Sequence, residues 1–170
     1  MSTDNEELFV GFPKIHRLSR EIIITEKIDG TNACILITKD GKILPGSRSR
    51  WLTLDNDNFG FAAWVETHAD ELLTLGPGRH FGEWWGHGIQ RGYMDRFIPH
   101  GMSTRYFSLF NTTRWRTEGV VSEKLPKCCH VVPVLYFGPF SEQVINTTMA
   151  ILKDTGSEAA PGFMDPEGIV

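Results

Sequence analysis

The sequence predicts an α+β protein, with antiparallel sheets flanked by helices. Three observations predict it. β-branched residues fill positions 22–25, the run Ile-Ile-Ile-Thr. Asp40-Gly41 divides two apolar runs as a hairpin turn. Apolar residues recur at helical spacing across 58–74 and again across 141–154.

Taken in order, residues 21–27 read as a strand, and 33–38 with 42–45 as a hairpin. Residues 58–74 predict a helix capped by Asp55 or Asp57, with Phe61, Trp64 or Val65, His68 and Leu72 on one stripe. His68 on that stripe reads as packing, and Gly76-Pro77-Gly78 ends the helix. Residues 79–85 and 105–110 predict strands joined by a long glycine-containing connection. Residues 130–137 predict one apolar strand, in which Pro133 marks an edge or a bulge. Ser141 caps a helix reaching about Asp154, with Val144, Ile145, Thr148, Ile151 and Leu152 inward and Gly156 as the stop. The tail from Ser157 reads as loop, then as the beginning of a strand at 168–170.

The chain of 170 residues has room for one domain with a core. Hydrophobic residues make up 41% and charged residues 22%, the proportions of a soluble globular protein. No apolar run approaches the length of a membrane span. The acidic start, MSTDNEELF, is unlike a leader. The expectation is a cytoplasmic protein. Three cysteines, two of them adjacent, argue against a disulfide framework. Cys128-Cys129-His130 has no second ligand pair at zinc spacing, so small buried thiols beside a strand are the reading. The net charge of −4 provides no global basic field, although arginines recur from Arg48 to Arg116 and folding can gather some on one face.

The stretch that asks for chemistry is TEKIDGTN, residues 25–32, which sets a lysine, an aspartate and a glycine between two strands. Its bland reading is a solvent-facing lysine before a turn. Its chemical reading is a nucleophile. A strand-borne amine attacks phosphorus once burial or neighbouring positive charge holds it partly unprotonated. Attack on an α-phosphate gives a phosphoramidate. A divalent metal held by Asp29 and a later carboxylate, in part through water, would favour that step. Gly30 would let the backbone turn without crowding a nucleotide, and Asn32 can hydrogen-bond a ribose.

EKIDGTN resembles the Lys-x-Asp-Gly motif of the covalent nucleotidyltransferases: ATP-dependent RNA and DNA ligases and mRNA capping enzymes. Four further stretches follow in the family's order. GSRSR resembles its Ser-Arg element, and HFGEWWG the element whose glutamate binds ribose. YFSLFNTTRW resembles the strand bearing the aromatic that stacks on the base, and DPEGIV the Glu-Gly element before the last catalytic motif. GEWWGHGIQRGY and YFSLFNTTRW are most similar to ATP-dependent RNA ligases. The resemblance covers residues 26–170. It implies an ATP-grasp-like ligase adenylation domain, ATP and Mg²⁺ (or Mn²⁺) as cofactors, and RNA ends, a 5′-phosphate and a 3′-hydroxyl, as partners. Nicked duplex is among the possible substrates. A monomer with no membrane partner is expected.

Residue by residue, the resemblance implies that Lys27 is the adenylated nucleophile. Glu26 and its backbone would read the adenine edge. Asp29 would bind metal-associated water. Asn32 would bind ribose or a metal water. Arg48, or Arg50 in a shifted register, would contact the nucleotide ribose or the following nucleic-acid strand. Glu83 would hold the ribose hydroxyls. Phe110, with Phe107 as the other choice, would stack on adenine. Glu167 would be a cofactor-binding carboxylate near the metal. A second Glu-Gly, at Glu118, follows the 105–110 strand too soon, because the family places a strand and a helix between the two elements and 130–154 supplies them.

Two departures stand out. Asn111 replaces the usual aspartate after the stacking phenylalanine. The family's next strand carries one or two lysines that neutralise the pentavalent transition state. No Lys-x-Lys follows Glu167, and Lys124 and Lys153 lie elsewhere. Residues 1–170 are therefore expected to be an adenylyltransferase domain incomplete at its C-terminus, with weak or absent activity alone. A DNA ligase, a capping-type enzyme and an inactive nucleotide or RNA-end binder stay open at this point.

Overall fold

The computed structural model describes residues 20–94, 104–117 and 119–170. Glu118, the acidic start and part of the connection expected before residue 105 lie outside the described residues.

The β-branched run forms β1 (Glu21–Lys27). The hairpin about Asp40-Gly41 joins β2 (Thr31–Ile37) to β3 (Ile43–Ser47), with Ala33 opposite Ser47 and Ile37 opposite Ile43. β4 (Gly78–Gly86) pairs with the other edge of β2, and β5 (Arg105–Leu109) with β4.

The expected helix over 58–74 divides into α1 (Phe61–Thr67), α2 (Ala69–Leu72) and a 3₁₀ turn, Leu73–Leu75. It breaks at His68, whose backbone leaves the helical region while its Nδ1 lies 2.8 Å from the Trp64 carbonyl. Asp57 rather than Asp55 tethers the start. Its carboxylate accepts from the Ala62 and Ala63 amides at 2.7 and 3.2 Å. A short helix the sequence did not suggest, α3 (Thr112–Trp115), follows β5. It is capped by Asn111, which accepts from the Arg114 amide, and leads into the ribbon β6 (Arg116–Thr117) and β7 (Val120–Val121).

The single strand expected over 130–137 is two strands in different sheets. β8 (Cys129–Val131) runs parallel to β5, and β9 (Val134–Pro139) runs antiparallel to β1. Pro133 stands at the crossover. It has no N–H to offer a ladder, and its carbonyl accepts from the Glu26 amide at 3.0 Å. Helix α4 (Glu142–Thr155) is capped by Ser141 as the sequence implies. Only Thr148 and Leu152 of its expected inner face are buried, and Ile151 is exposed. The helix lies against β10 (Gly168–Ile169), too short a strand to cover it.

Among the described residues, two sheets form beside the β6-β7 ribbon, ordered β3-β2-β4-β5-β8 and β10-β1-β9. One core lies on the α1 side of the larger sheet, around Ile35, Phe61, Leu72, Trp84 and Phe107. A smaller core of Ile28, Trp85, Tyr93, Val132 and Ala160 lies beneath the segment that joins β1 to β2.

Candidate active site

Alternation along β1 turns Ile24 and Glu26 inward and Lys27 outward. Lys27 opens onto a cleft of about 560 Å³, lined from both sheets. Glu26, Lys27, Asp29, Asn32, Arg48, Glu83, Phe110 and Glu167 all border it. The cleft thus gathers the first choice at each position singled out from the sequence motifs, but not the alternatives Arg50 and Phe107.

One wall is built by β1 and the tail. The Lys27 ammonium donates to Oε1 of Glu167. Glu167 is held from behind, where its amide donates to the buried Tyr93 hydroxyl at 2.8 Å. Arg91 bridges Asp29 and Asp165 at 3.1 and 3.0 Å, tying the motif turn to the same tail. Glu26 is 1% exposed, and its carboxylate is turned to the tail. It accepts from the Ser157 hydroxyl at 2.6 Å and from the Glu158 and Ala159 amides at 2.9 Å. Burial raises its pKa against the pull of these three hydrogen bonds. What Glu26 offers the cleft is backbone, and its side chain clamps the tail.

The other wall is built by sheet register. Asn32 stands opposite Glu83 on adjacent strands. The Glu83 carboxylate accepts from Asn32 Nδ2 at 3.0 Å and from the Gly30 amide at 3.2 Å. Burial is the largest influence on Glu83 and moves its pKa up to about 7, while its hydrogen bonds and nearby Lys27 oppose the rise. The glycine at position 30 is required by this wall. A Cβ there would lie 2.5 Å from the Trp84 carbonyl and 2.8 Å from Trp85 Cβ.

The alternatives in the two open registers take different positions. Arg48 lines the cleft, whereas Arg50 donates to the carbonyls of Asn56 and Asp57 at 2.7 and 3.3 Å and pins its own loop. Phe107 is fully buried against Phe61 and Trp84, whereas Phe110 is 43% exposed at the cleft.

Cys129 is buried and Cys128 half-buried beside β5, with sulfurs 4.0 Å apart; burial raises both thiols, Cys128 to about 11.

Among the described residues no cluster of three His, Cys, Asp or Glu side chains is arranged for a metal. Asp29 and Glu167 supply two carboxylates, each already in an ion pair. That set fits a hard cation of the Mg²⁺ kind, which keeps several waters and draws other ligands from substrate phosphates.

A family model described as RNA ligase matches residues 20–170, and the chain belongs to that family. Its fold is shared with solved RNA ligase structures. One is the Naegleria gruberi RNA ligase in a lysine-to-alanine mutant with ATP and Mn, at TM-score 0.56 and 18% identity. A second is a lysine-to-methionine mutant of the same ligase with AMP and Mn, at TM-score 0.54 and 16% identity. Each match covers 89% of this chain and 46% of the other, so the chain spans about half the length of the structures it matches. No curated protein matches it.

Sequence reasoning missed Arg91, Tyr93 and Ser157 as supports of the site. Arg91 and Tyr93 lie in GIQRGY, where a charged and an aromatic residue flank a glycine within a loop. Ser157 carries no local signal.

Proposed function

We propose that this chain is the adenylyltransferase domain of an ATP-dependent RNA ligase. The observation that carries the reading is the convergence of residues from five separate sequence elements on one cleft around Lys27. Family membership supports it, as do the nucleotides and manganese named for the Naegleria structures.

In the first step Lys27 Nζ gives up a proton, for which hydrogen-bonded Glu167 is the adjacent acceptor. Its lone pair forms the N–P bond to the α-phosphorus as the bond to pyrophosphate breaks, and pyrophosphate leaves with the electron pair. A 5′-phosphate oxygen of RNA then attacks the same phosphorus, and Lys27 departs and regains a proton. A 3′-hydroxyl finally attacks the activated 5′-phosphate, giving the phosphodiester and AMP. Phe110 stacks on adenine, and the backbone at Glu26 meets the adenine edge. Glu83 and Asn32 hold the ribose, and Arg48 takes the ribose or the incoming strand. Mg²⁺ or Mn²⁺ near Asp29 and Glu167 would neutralise phosphate charge and favour the unprotonated amine. The enzyme acts as a cytoplasmic monomer on RNA ends, nicked duplex among them.

Intact-mass spectrometry after incubation with ATP and Mg²⁺, run beside Lys27→Ala, tests the reading. A slow AMP-sized gain is expected on the native chain and none on the variant. An unchanged mass at saturating ATP overturns adenylation by this chain.

A further inference from the structure

The register of the larger sheet aligns something the nucleotide cleft does not use. Phe110 donates its amide to the Phe81 carbonyl at 3.0 Å, one step beyond the Gly82–Leu109 pair, so the two phenylalanines stand side by side. Phe81 is opposite Cys34, Cys34 is opposite Gly46, and Gly46 bridges to Trp51. This is one row across β4, β2 and β3, with Phe110 one residue past β5 and Trp51 on an isolated bridge. Its two middle positions carry no bulk, because Cys34 is buried and Gly46 has no side chain. A Cβ on Gly46 would lie 3.1 Å from the Trp51 ring, so glycine lets the indole lie against the sheet. The row ends as three exposed rings: Phe110 at 43%, Phe81 at 55% and Trp51 at 47%.

Cations flank the rings. Arg79, two residues before Phe81 on β4, places its guanidinium 5.4 Å from the Trp51 ring centroid. Arg48 borders both the nucleotide cleft and a neighbouring groove of about 260 Å³ that holds Trp51, Arg79 and Phe81. In a chain of net charge −4, this face combines local positive charge with flat aromatic surface.

We propose that the row Phe81–Trp51, flanked by Arg48 and Arg79, is a stacking platform for the single-stranded RNA whose end enters the cleft. Three observations favour an RNA strand over a protein segment. The Phe81 ring and the Trp51 indole, which lies over Gly46 two strand spacings or about 10 Å away, can each receive a base. The guanidiniums match a phosphate backbone. The row is continuous with Phe110 at the cleft, so a strand lying on it delivers its terminus to Lys27. The inference deepens the ligase reading and rests on it for the choice of RNA.

The test measures fluorescence anisotropy of a labelled oligouridylate of roughly ten nucleotides, within the site size of known stacking grooves. The native chain is compared with Phe81→Leu, Trp51→Leu and Phe81→Tyr, with circular dichroism as the control for folding. Adduct formation with ATP is measured in parallel. Each leucine variant should weaken binding about 5- to 100-fold, the range for loss of one stacked base. Phe81→Tyr should restore it, and the AMP adduct should form in all four proteins. Leucine variants that bind like the native chain overturn the platform, as does a native chain with no affinity for the oligonucleotide. Ring-dependent binding without any adduct supports the platform and sinks the ligase chemistry instead.

Discussion

The two walls of the cleft are built by different physics. On the sheet side, Asn32, Glu83 and Phe110 are placed by strand register, which fixes each side chain once the hairpin pairs. On the other side, Lys27, Asp29 and Glu167 depend on a tail held by side-chain hydrogen bonds and ion pairs across more than 60 residues of sequence. Register is cooperative and insensitive to salt. A tail tethered by a buried carboxylate and an exposed arginine depends on single groups. The contrast predicts that substitutions behind the Lys27 wall uncouple Glu167 from Lys27 while leaving the sheet wall formed.

The largest effect is expected from Glu26→Ala. It strands the buried Ser157 hydroxyl and two part-buried amides, at a cost of about 3 kcal/mol. Thermal denaturation should show Tm lowered by roughly 6–12 °C, with adduct formation lost even at temperatures where the chain remains folded. An unchanged Tm would remove Glu26 as the clamp.

Gly30→Ala tests the junction of the walls. The added methyl has no room beside the Trp84 carbonyl, and overpacking of this kind destabilises by about 1–3 kcal/mol. It also displaces the amide that Glu83 accepts from. Chemical denaturation should show the loss, and nucleotide affinity should fall with it.

Glu83 allows the sheet wall to be probed by pH. Burial penalises its charged form and raises its pKa from 4.5 to about 7. Its contribution to stability is therefore full below about 4.5 and declines as pH rises through about 7. On the proposed role of Glu83, ligand binding runs the other way, because only the ionised carboxylate would accept from two ribose hydroxyls. Calorimetric titration with ATP should show affinity weakening several-fold as pH falls below about 7, and Glu83→Gln should flatten that profile. An equally steep profile in the variant would assign the titration elsewhere.

Arg91→Ala should have the smallest effect. The Asp29 and Asp165 pairs are solvent-exposed, so the tail loosens modestly and the native interaction is screened by salt. Adduct formation should slow in the variant at low salt and converge with the native rate at high salt.

The same contrast explains what the sequence disclosed. Alternation and turn chemistry sufficed for β1 and the β2–β3 hairpin, and the ordered motifs drew attention to the residues that border the cleft. Arg48 against Arg50 stayed open because a two-residue shift leaves the pattern unchanged, and only Arg50's bonds to the Asn56 and Asp57 carbonyls separate them. Phe107 against Phe110 stayed open because an exposed and a buried phenylalanine look alike in sequence. The 130–137 run read as one strand because its apolar character continues through Pro133, although the chain changes sheets there. Glu26's clamp was invisible because its partners begin 131 residues away and Ser157 sits in no pattern.

Peptide mapping of the chain after reaction with ATP and Mg²⁺ tests the central claim most directly. AMP should be found on the peptide containing Lys27 and on no other. AMP carried by Lys124, Lys153 or another lysine, or an adduct that persists in Lys27→Ala, would contradict it.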